Sequence, residues 1–356
     1  MQLNNKEIDK TAIFFVMNYW AAGGTEKVFE DVIRILEKKS DLVFYLFLIN
    51  RSDNGKYVFP KNVTIIEGIH NLYRIKQKYK KFVAVNFSGY WKSGLVCYLL
   101  FHKYISWCHN NPYILRKART GKLNFFLLKK SIRLVCICKE QLQIFREEFN
   151  FPDNMILIYN SVNVDKIDNL ATEELNVHYD FFLMSARFEL IQKDYITLIN
   201  AYDLLDESYK EKYKLVLIGT GPDFEIVKDY IESKKLSNNV ILPGFESNPY
   251  KWMKRATANI LCSNYEGFSI VALESLAIDK PFIITDYKTG AREISGDGKY
   301  AYITPMKDSL SLNHAMLDVI NGSYKSNNLG RQFIEEEFSY EMFEKRINNL
   351  FSELVV

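Results

Sequence analysis

The segment SNYEGFSIVALESLAIDKP, residues 263–281, holds two acidic residues whose positions suggest chemistry. Glu266 precedes a helix that we expect to begin near Ser269, and a helix start offers unpaired amides and partial positive charge to an anion. Gly267 would let the backbone approach a ligand closely. A carboxylate at Glu266 would repel a bare phosphate, so it is expected to accept hydrogen bonds from hydroxyl groups.

Glu274 lies more than one turn further along the same helix, among Leu273, Leu276 and Ala277. A carboxylate in apolar surroundings needs a hydrogen-bond donor to offset its desolvation, and the two hydroxyls of a ribose would serve. A phosphate over the helix start with a hydroxylated sugar on each side describes a nucleotide-sugar. The alternative for both acids is a surface helix that carries a glutamate at its start.

Two cations could hold the diphosphate of such a ligand. Arg187 and Lys193 are six residues apart beyond the end of a predicted strand. Together they would neutralise a diphosphate and stabilise it as a leaving group; the alternative is a surface pair. The sequence has no Asp-x-Asp pair and no cluster typical of zinc, so we expect neither a metal nor another cofactor.

Glycines at two predicted strand-to-helix turns could also approach a ligand. Gly23 and Gly24 precede a predicted helix and could contact phosphates or an acceptor. Gly219 and Gly221 lie in GTGP, where Phe224 occupies the position of a third glycine. This is therefore not a dinucleotide fingerprint, and we expect a sharp turn beside a nucleotide base. Ordinary turns are the alternative in both cases.

His109 follows a predicted strand in the first half of the chain, beside Asn110 and Asn111. A single histidine is usually structural or solvated. The strand-end position and the polar neighbours favour a functional role, in which a neutral imidazole would donate and accept hydrogen bonds.

Strands and helices alternate twice along the chain, which predicts α/β architecture with parallel sheets covered on both faces. Two such series, joined near residues 160–178, indicate two Rossmann-like lobes. The predicted strands are 12–17, 42–49, 82–86, 104–108, 133–138, one that starts at 155, 181–187, 214–219, 239–244, 258–263 and 281–286. The predicted helices are 24–39, 92–101, 121–131, 139–149, 194–206, 223–235, 248–255, 270–278 and 331–350.

The net charge of +3 conceals two halves of opposite sign. Residues 1–160 carry 25 Lys/Arg and 13 Asp/Glu, and no acid occurs between Glu67 and Glu140. Aromatic and apolar residues are mixed with these cations, as in LNFFLLKK. This favours contact with an anionic membrane surface over a solvated face or nucleic acid. The five sparse cysteines predict reduced, buried thiols.

EGFSIVALE (266–274) resembles the E-x7-E motif of retaining glycosyltransferase family 4, of the bacterial surface-polysaccharide type. The resemblance is strong over 180–295 and looser before 150. Two stretches depart from the pattern, since Ser269 stands where glycine is common and KTGAREI (288–294) is less rich in glycine. Other matching stretches are GGTEKV (23–28), SARFELIQKD (185–194), VLIGTGPDFE (216–225), ILPGF (241–245) and FSYEMFEKRINNLFSEL (338–354).

The resemblance implies a GT-B fold, two Rossmann-like lobes with the active site in the cleft between them. The lobes would be 1–162, which binds the acceptor, and 163–335, which binds the donor, with a C-terminal helix in 336–356 that packs back towards the first lobe. The catalytic residues would be His109, Glu266, Arg187 and Lys193. The donor would contact Gly219, Gly221, Phe245, Gly267, Phe268, Ser269, Ile270 and Glu274, and Gly23 and Gly24 would form an acceptor or phosphate loop.

The implied activity is a metal-independent, retaining hexosyltransferase reaction without a resident cofactor. A UDP-sugar is the expected donor, and the acceptor would be a hydroxyl of a lipid-linked glycan or of a lipopolysaccharide or capsule precursor. The enzyme would work in the cytoplasm, peripherally on the inner face of the cytoplasmic membrane. The alternatives are a nucleotide-sugar epimerase on the same fold, or a non-catalytic protein that binds anionic lipid or nucleic acid.

Overall fold

The structure, a computed structural model, describes residues 9–20, 23–50, 59–326 and 328–355. Its contacts divide the chain into two compact units. The first contains residues 1–160 and 341–356, and the second contains residues 161–340. The boundary after residue 160 lies two residues before the predicted one, which was after residue 162. The boundary after residue 340 lies five residues beyond the predicted one, which was after residue 335.

The first unit contains a parallel sheet whose described strands follow the order β3-β2-β1-β4-β5-β6-β7. The strands are β1 (Thr11–Met17), β2 (Leu42–Leu48), β3 (Val63–Ile66), β4 (Phe82–Asn86), β5 (Ile105–Cys108), β6 (Arg133–Cys136) and β7 (Met155–Leu157). The helices are α1 (Gly24–Leu36), α2 (Ile69–Lys76), α3 (Trp91–Phe101), α4 (Pro112–Lys117), α5 (Gly121–Lys130) and α6 (Lys139–Gln143), and a π-helical turn over Ile144–Glu148 follows α6.

The first sheet is buried on both faces, as its sequence predicts. Every residue of β1 is buried because the strand lies between β2 and β4, so its apolar residues run continuously instead of alternating. Phe14, at the middle of β1, stacks on Tyr45 at a centroid distance of 5.1 Å, and the Tyr45 and Tyr79 hydroxyls are 2.7 Å apart.

The second unit contains a parallel sheet with described strands in the order β10-β9-β8-β11-β12-β13. The strands are β8 (Asp180–Ser185), β9 (Tyr213–Ile218), β10 (Val240–Gly244), β11 (Ala258–Leu261), β12 (Phe282–Thr285) and β13 (Tyr302–Thr304). The helices are α7 (Val164–Ala171), α8 (Tyr195–Asp203), α9 (Glu207–Lys212), α10 (Phe224–Ser233), α11 (Tyr250–Arg255), α12 (Ile270–Ala277), α13 (Ala291–Ser295), α14 (Ser309–Ile320) and α15 (Leu329–Glu337).

The strand order reverses between β8 and β11, which are neighbours although four helices and two strands separate them in the chain. Loops that leave the carboxyl ends of two such strands emerge side by side, and ligands bind there in open α/β sheets. The segment after β8 carries Arg187 and Lys193, and the segment after β11 carries Glu266. The topology therefore brings these predicted site residues to one edge.

The prediction of two parallel α/β sheets is confirmed. The predicted single helix over 331–350 is wrong, because α15 ends at Glu337 and α16 (Tyr340–Val355) begins after a break. At the break Phe338 is 2% exposed and packs against Phe268, and its carbonyl accepts from the Val162 amide at 3.0 Å. These tertiary contacts interrupt a pattern that is locally helical.

All five cysteines are buried and free, as predicted. Among the described residues, no helix combines the length and the apolar character that crossing a bilayer requires.

Candidate active site

Glu266 lies at the centre of a buried polar network in the second unit. The residue is buried, with 6% of its surface exposed. Oε1 accepts from the Ser263 hydroxyl at 2.7 Å and from Nζ of Lys193, with which it forms an ion pair, and Oε2 accepts from Nε2 of Gln192 at 2.8 Å. The carboxylate thus has three donors from two segments, which offset the cost of its burial.

The two segments are held together by their backbones. Lys193 and Ser263 form an isolated antiparallel bridge. The Asp194 amide donates to the Cys262 carbonyl at 3.0 Å, and the Asn264 amide donates to the Gln192 carbonyl at 2.7 Å. The positions of Lys193 and Glu266 therefore follow from strand order and backbone pairing, so the ion pair does not have to hold the loops by itself.

Arg187 lies outside this buried network. Its side chain is 62% exposed, and it pairs with Glu189 at 3.8 Å. The structure therefore separates the two cations that the sequence grouped, because Lys193 is 8% exposed and bound to a carboxylate. An exposed guanidinium keeps its bidentate donors accessible to an anion.

Gly219 and Gly221 fix the backbone around Arg187. A Cβ at Gly219, where φ is +139°, would lie 2.0 Å from the Ala186 carbonyl oxygen. A Cβ at Gly221 would lie 2.2 Å from that of Phe188. The predicted sharp turn after β9 is present, and these glycines let it pack directly on the segment after β8.

Helix α12 begins as predicted, one residue after Ser269. The Ser269 hydroxyl caps it by accepting from the Ala272 amide at 3.4 Å. A serine thus satisfies one amide of the first turn, where a glycine would leave it open. Gly267 and Ile270 are half-buried on either side of this cap, whereas Phe268 and Ser269 between them are buried.

Glu274 is buried, at 6% exposure, and Tyr250 supplies the donor that its environment requires. The Tyr250 hydroxyl donates to Oε1 of Glu274 at 2.9 Å. Sequence analysis identified the need for a donor but not this tyrosine, which lies 24 residues away on α11. The ribose contact stays a prediction.

The loop after β12 also contacts the loop that carries Glu266. Thr289 is fully buried with φ of +73°, and its hydroxyl donates to the Glu266 carbonyl oxygen. A β-branched residue rarely adopts this left-handed conformation. Next to it, a Cβ on Gly290 (φ +112°) would lie 2.6 Å from the ring of Phe268. The stretch KTGAREI, which is less rich in glycine than the family pattern, therefore places a hydroxyl against the backbone of Glu266.

Phe245 immediately follows β10 and is 70% exposed. Single exposed apolar side chains are common on protein surfaces, so this exposure does not by itself indicate a ligand. The place of Phe245 at the carboxyl edge of the second sheet is compatible with the predicted donor contact, which stays a prediction.

His109 lies in the first unit just after β5, with its ring stacked on Trp107 at 5.7 Å and tilted against Phe87 at 4.9 Å. Burial lowers its pKa to about 3, although a hydrogen bond to the Phe87 backbone partly opposes the shift. Nε2 is buried and has no hydrogen-bond partner among the described residues, so Nδ1 donates to Phe87. The imidazole is therefore neutral near pH 7, with a lone pair on Nε2.

We expect this histidine to make stability depend on pH. The folded state holds it neutral down to about pH 3, whereas the unfolded state binds a proton below about pH 6.5. Stability should therefore fall as the pH drops below 6.5, by ~2 kcal/mol between pH 7 and 5. Urea unfolding of the parent and His109→Gln at both pH values measures this contribution; equal losses in the two proteins would contradict it.

Gly23 and Gly24 lie at the start of α1. Gly23 has an extended backbone that any residue can adopt, and a Cβ there would approach Oε2 of Glu26 to 3.2 Å. The conformation therefore does not itself demand glycine at 23, and the ligand-loop role stays a prediction.

The described residues contain no group of three or more His, Cys, Asp or Glu side chains placed to hold a metal ion. Sequence reasoning also missed the protein partners of the acids, namely Gln192, Ser263, Tyr250 and Thr289. Gln192, which adjoins Lys193, and Ser263, three residues before Glu266, carried local signals; Tyr250 and Thr289 come from segments more than 20 residues away from the acids they contact.

Residues 165–336 match the family model described as Glycosyl transferases group 1. One similar protein is the Campylobacter jejuni N-acetylgalactosamine-N,N'-diacetylbacillosaminyl-diphospho-undecaprenol 4-alpha-N-acetylgalactosaminyltransferase, 32% identical over 45% of this chain and 43% of that protein. Another is the Bacillus subtilis poly(glycerol-phosphate) alpha-glucosyltransferase, 33% identical over 41% of this chain and 21% of that protein. The aligned regions thus span less than half of these two relatives.

Solved structures match over nearly the whole chain. The lipopolysaccharide outer core galactosyltransferase WaaB is 19% identical, with a TM-score of 0.74, and the match covers 96% of this chain and all of that one. Anabaena HepE in complex with UDP-glucose is 14% identical, with a TM-score of 0.81, over 96% of this chain and 100% of that one. At these identities the likeness establishes the fold.

The fold is therefore that of the GT-B glycosyltransferases, with two Rossmann-like domains. Within it, residues 165–336, which contain the Glu266 network, match the model of the group 1 glycosyltransferases. Assignment to family 4 and the E-x7-E motif remain predictions.

Proposed function

We propose that this protein is a metal-independent, retaining hexosyltransferase that moves a sugar from a UDP-sugar to a hydroxyl of a lipid-linked glycan or of a lipopolysaccharide or capsule precursor. One observation carries the proposal: Glu266 and Lys193 are buried and paired, with Gln192 as a further donor, beside the start of α12, at the strand-order reversal of the region that matches the group 1 glycosyltransferase model. Here amides and cations for a diphosphate adjoin a carboxylate for a sugar.

The hydrogen-bond capacity of Glu266 and Lys193 indicates which part of the UDP-sugar each residue would bind. A carboxylate has about four acceptor sites, and Glu266 uses two on Oε1 and one on Oε2. Oε2 therefore retains room for a sugar hydroxyl. The Lys193 ammonium has three donors, of which Glu266 takes one, so the others can contact phosphate oxygens. Lys193 would thus link the leaving group and the sugar.

The residues around this pair would stabilise the departing diphosphate. Negative charge develops on it as the glycosidic bond breaks, and donors already in position lower the barrier. We assign this role to the amides at Gly267–Ile270, to Lys193 and to the accessible guanidinium of Arg187. With these groups supplying the positive charge, the reaction needs no metal ion.

Retention of configuration would follow a front-face course, in which the leaving diphosphate helps to deprotonate the incoming hydroxyl. His109, neutral with a lone pair on Nε2, would orient a sugar hydroxyl by accepting from it. Phe245 and the turn at Gly219 and Gly221 would contact the nucleotide base, Glu274 the ribose, and the first unit, including Gly23 and Gly24, the acceptor.

The relatives support the substrate classes. The name of the C. jejuni protein describes transfer onto a diphospho-undecaprenol-linked glycan, and HepE is described in complex with UDP-glucose. An acceptor with a polyprenyl chain resides in a membrane. The cation-rich first half of this chain suits the cytoplasmic face of that membrane, so we propose a peripheral location there.

The proposal is tested by incubating the full-length chain with a panel of UDP-sugars and undecaprenyl-diphosphate-linked saccharides, with and without EDTA. We expect one UDP-sugar to give a product extended by one α-linked sugar, equally fast in EDTA. NMR of the anomeric proton distinguishes retention from inversion. Release of free or epimerised sugar without an extended acceptor, a β-linked product, or loss of activity in EDTA would each overturn the corresponding part of the proposal.

Thr289 offers a separate test of the site's geometry. Thr289→Val keeps the β-branched shape but removes the hydroxyl that holds the Glu266 carbonyl. We expect kcat to fall about tenfold with little change in KM, the effect of one lost buried hydrogen bond that acts on position. Thr289→Ser keeps the hydroxyl and should stay within about twofold of the parent. Equal kcat values for the two variants would remove this role.

A further inference from the structure

Helix α5 presents an apolar and cationic face to solvent. Its exposed residues are Lys122, Leu123, Phe126, Lys129 and Lys130, spaced so that they share one side of the helix. The opposite side is buried. Leu123 is 39% and Phe126 45% exposed, although a helix packed on one side normally directs polar residues outward.

Helix α3 extends this face. Gly94 allows the two helices to approach, since a Cβ there would lie 3.3 Å from Cβ of Leu127. One turn further on, the Tyr98 ring meets the Phe126 ring at 6.0 Å, and the adjacent Leu99 is 59% exposed. We call Tyr98, Leu99 and the exposed residues of α5 the α3–α5 surface.

The charge of the α3–α5 surface is uniformly positive. Nζ of Lys130 lies 5.6 Å from the ring centre of Phe126, and Nζ of Lys129 lies 5.0 Å from the ring centre of Phe151. The cations and the aromatic rings are therefore in contact with each other. No acid occurs between Glu67 and Glu140. Arg133 lies nearby, but it is paired with Glu353 at 3.9 Å, so it is not counted as part of the α3–α5 surface.

We infer that the α3–α5 surface binds an anionic lipid bilayer, with Leu99, Leu123 and Phe126 entering the headgroup region and the three lysines of α5 contacting lipid phosphates. A leucine or phenylalanine side chain that protrudes between lysines is stabilised when it contacts lipid acyl chains. Water and phosphate alone do not offer it such an apolar contact. Lysines near an anionic leaflet add attraction that salt weakens. A nucleic acid would use the cations but gain nothing from the protruding leucines.

This inference deepens the proposed function, because it names the surface that keeps the enzyme beside a membrane-borne acceptor. The α3–α5 surface belongs wholly to the first unit, and the Glu266 network belongs wholly to the second. Binding to lipid and transfer of sugar can therefore be measured independently.

The test is flotation of the full-length chain with vesicles of phosphatidylcholine alone or mixed with phosphatidylglycerol. We expect binding that requires phosphatidylglycerol and weakens in high salt. Leu123→Ser/Phe126→Ser should weaken it at least tenfold, and the triple Lys→Gln variant at 122, 129 and 130 should remove the lipid preference. Lys→Gln at Lys166, Lys228 and Lys325, which are exposed in the second unit, is the control of matched charge and should bind as the parent does.

Thermal melting and transfer to a short-chain, water-soluble acceptor establish that the variants fold, and neither should change. Vesicle binding by Leu123→Ser/Phe126→Ser equal to that of the parent would overturn the inference, as would loss of binding in the control or preference for a DNA duplex over the vesicles. A parent that transfers sugar but ignores vesicles refutes the α3–α5 surface alone. A parent that binds vesicles but transfers nothing refutes the proposed function alone.

Discussion

Replacing Glu266 by Gln is expected to lower kcat for sugar transfer about 100- to 1000-fold, the range seen when one preorganised group beside a reacting centre is lost. The amide fills the same space and still accepts hydrogen bonds, but it carries no charge. The buried Lys193 ammonium, 8% exposed, then has no counter-charge. Initial rates with the UDP-sugar at saturation measure the effect.

Glu189→Gln is the matched control for this variant. Glu189 is near the same edge of the sheet, but its side chain is 35% exposed and pairs with Arg187 at a longer distance, 3.8 Å. Its loss should change kcat by no more than about threefold, as expected for an exposed ion pair. Similar losses in the two variants would show that charge in general, and not the buried carboxylate, matters.

Replacing Lys193 by Met should lower both activity and stability. Methionine keeps the apolar stem, but Glu266 is left as a buried carboxylate without its cation. Removing one partner of a buried ion pair costs about 3–5 kcal/mol, and loss of the phosphate contact should lower kcat by at least about 100-fold. Urea unfolding and initial rates measure the two effects separately.

The double variant Lys193→Met/Glu266→Gln separates structure from chemistry. It restores charge balance, so we expect it to be more stable than Lys193→Met by at least about 1.5 kcal/mol. Its activity should stay as low as that of the single variants. Recovery of activity together with stability would mean that the pair serves only to hold the fold.

Long buried strands were predictable because their apolar residues run without interruption, as in β1 and β2. The strands β3 and β13 were missed. They contain only four and three residues and lie at sheet edges, so few of their side chains are buried and the local pattern is weak. The break at Phe338 was also missed, because the contacts that cause it come from segments distant in sequence.

The sequence indicated which residue types would meet in the candidate site but not how they would pair. A glutamate beside a glycine at a helix start, and a lysine beyond a strand end, are local features. The contact between Lys193 and Glu266 joins residues 73 apart and depends on β8 lying beside β11. Local sequence does not specify that order, so the prediction paired Lys193 with Arg187 instead of with the carboxylate.

Tyr250 illustrates the same limit. Burial of Glu274 and its need for a donor followed from the apolar residues around it. Which group donates depends on how α11 packs against α12, and a tyrosine 24 residues away meets the need. Physical chemistry thus required the bond, and tertiary packing selected the partner.

The central claim is that the second unit binds the donor at the start of α12, beside Glu266. A crystal structure of the chain with its UDP-sugar tests this most directly. We predict the diphosphate within hydrogen-bonding distance of Lys193 and of the amides at Gly267–Ile270, with a sugar hydroxyl on Oε2 of Glu266. A UDP-sugar bound elsewhere, with the Lys193–Glu266 pair still closed and untouched, would contradict it.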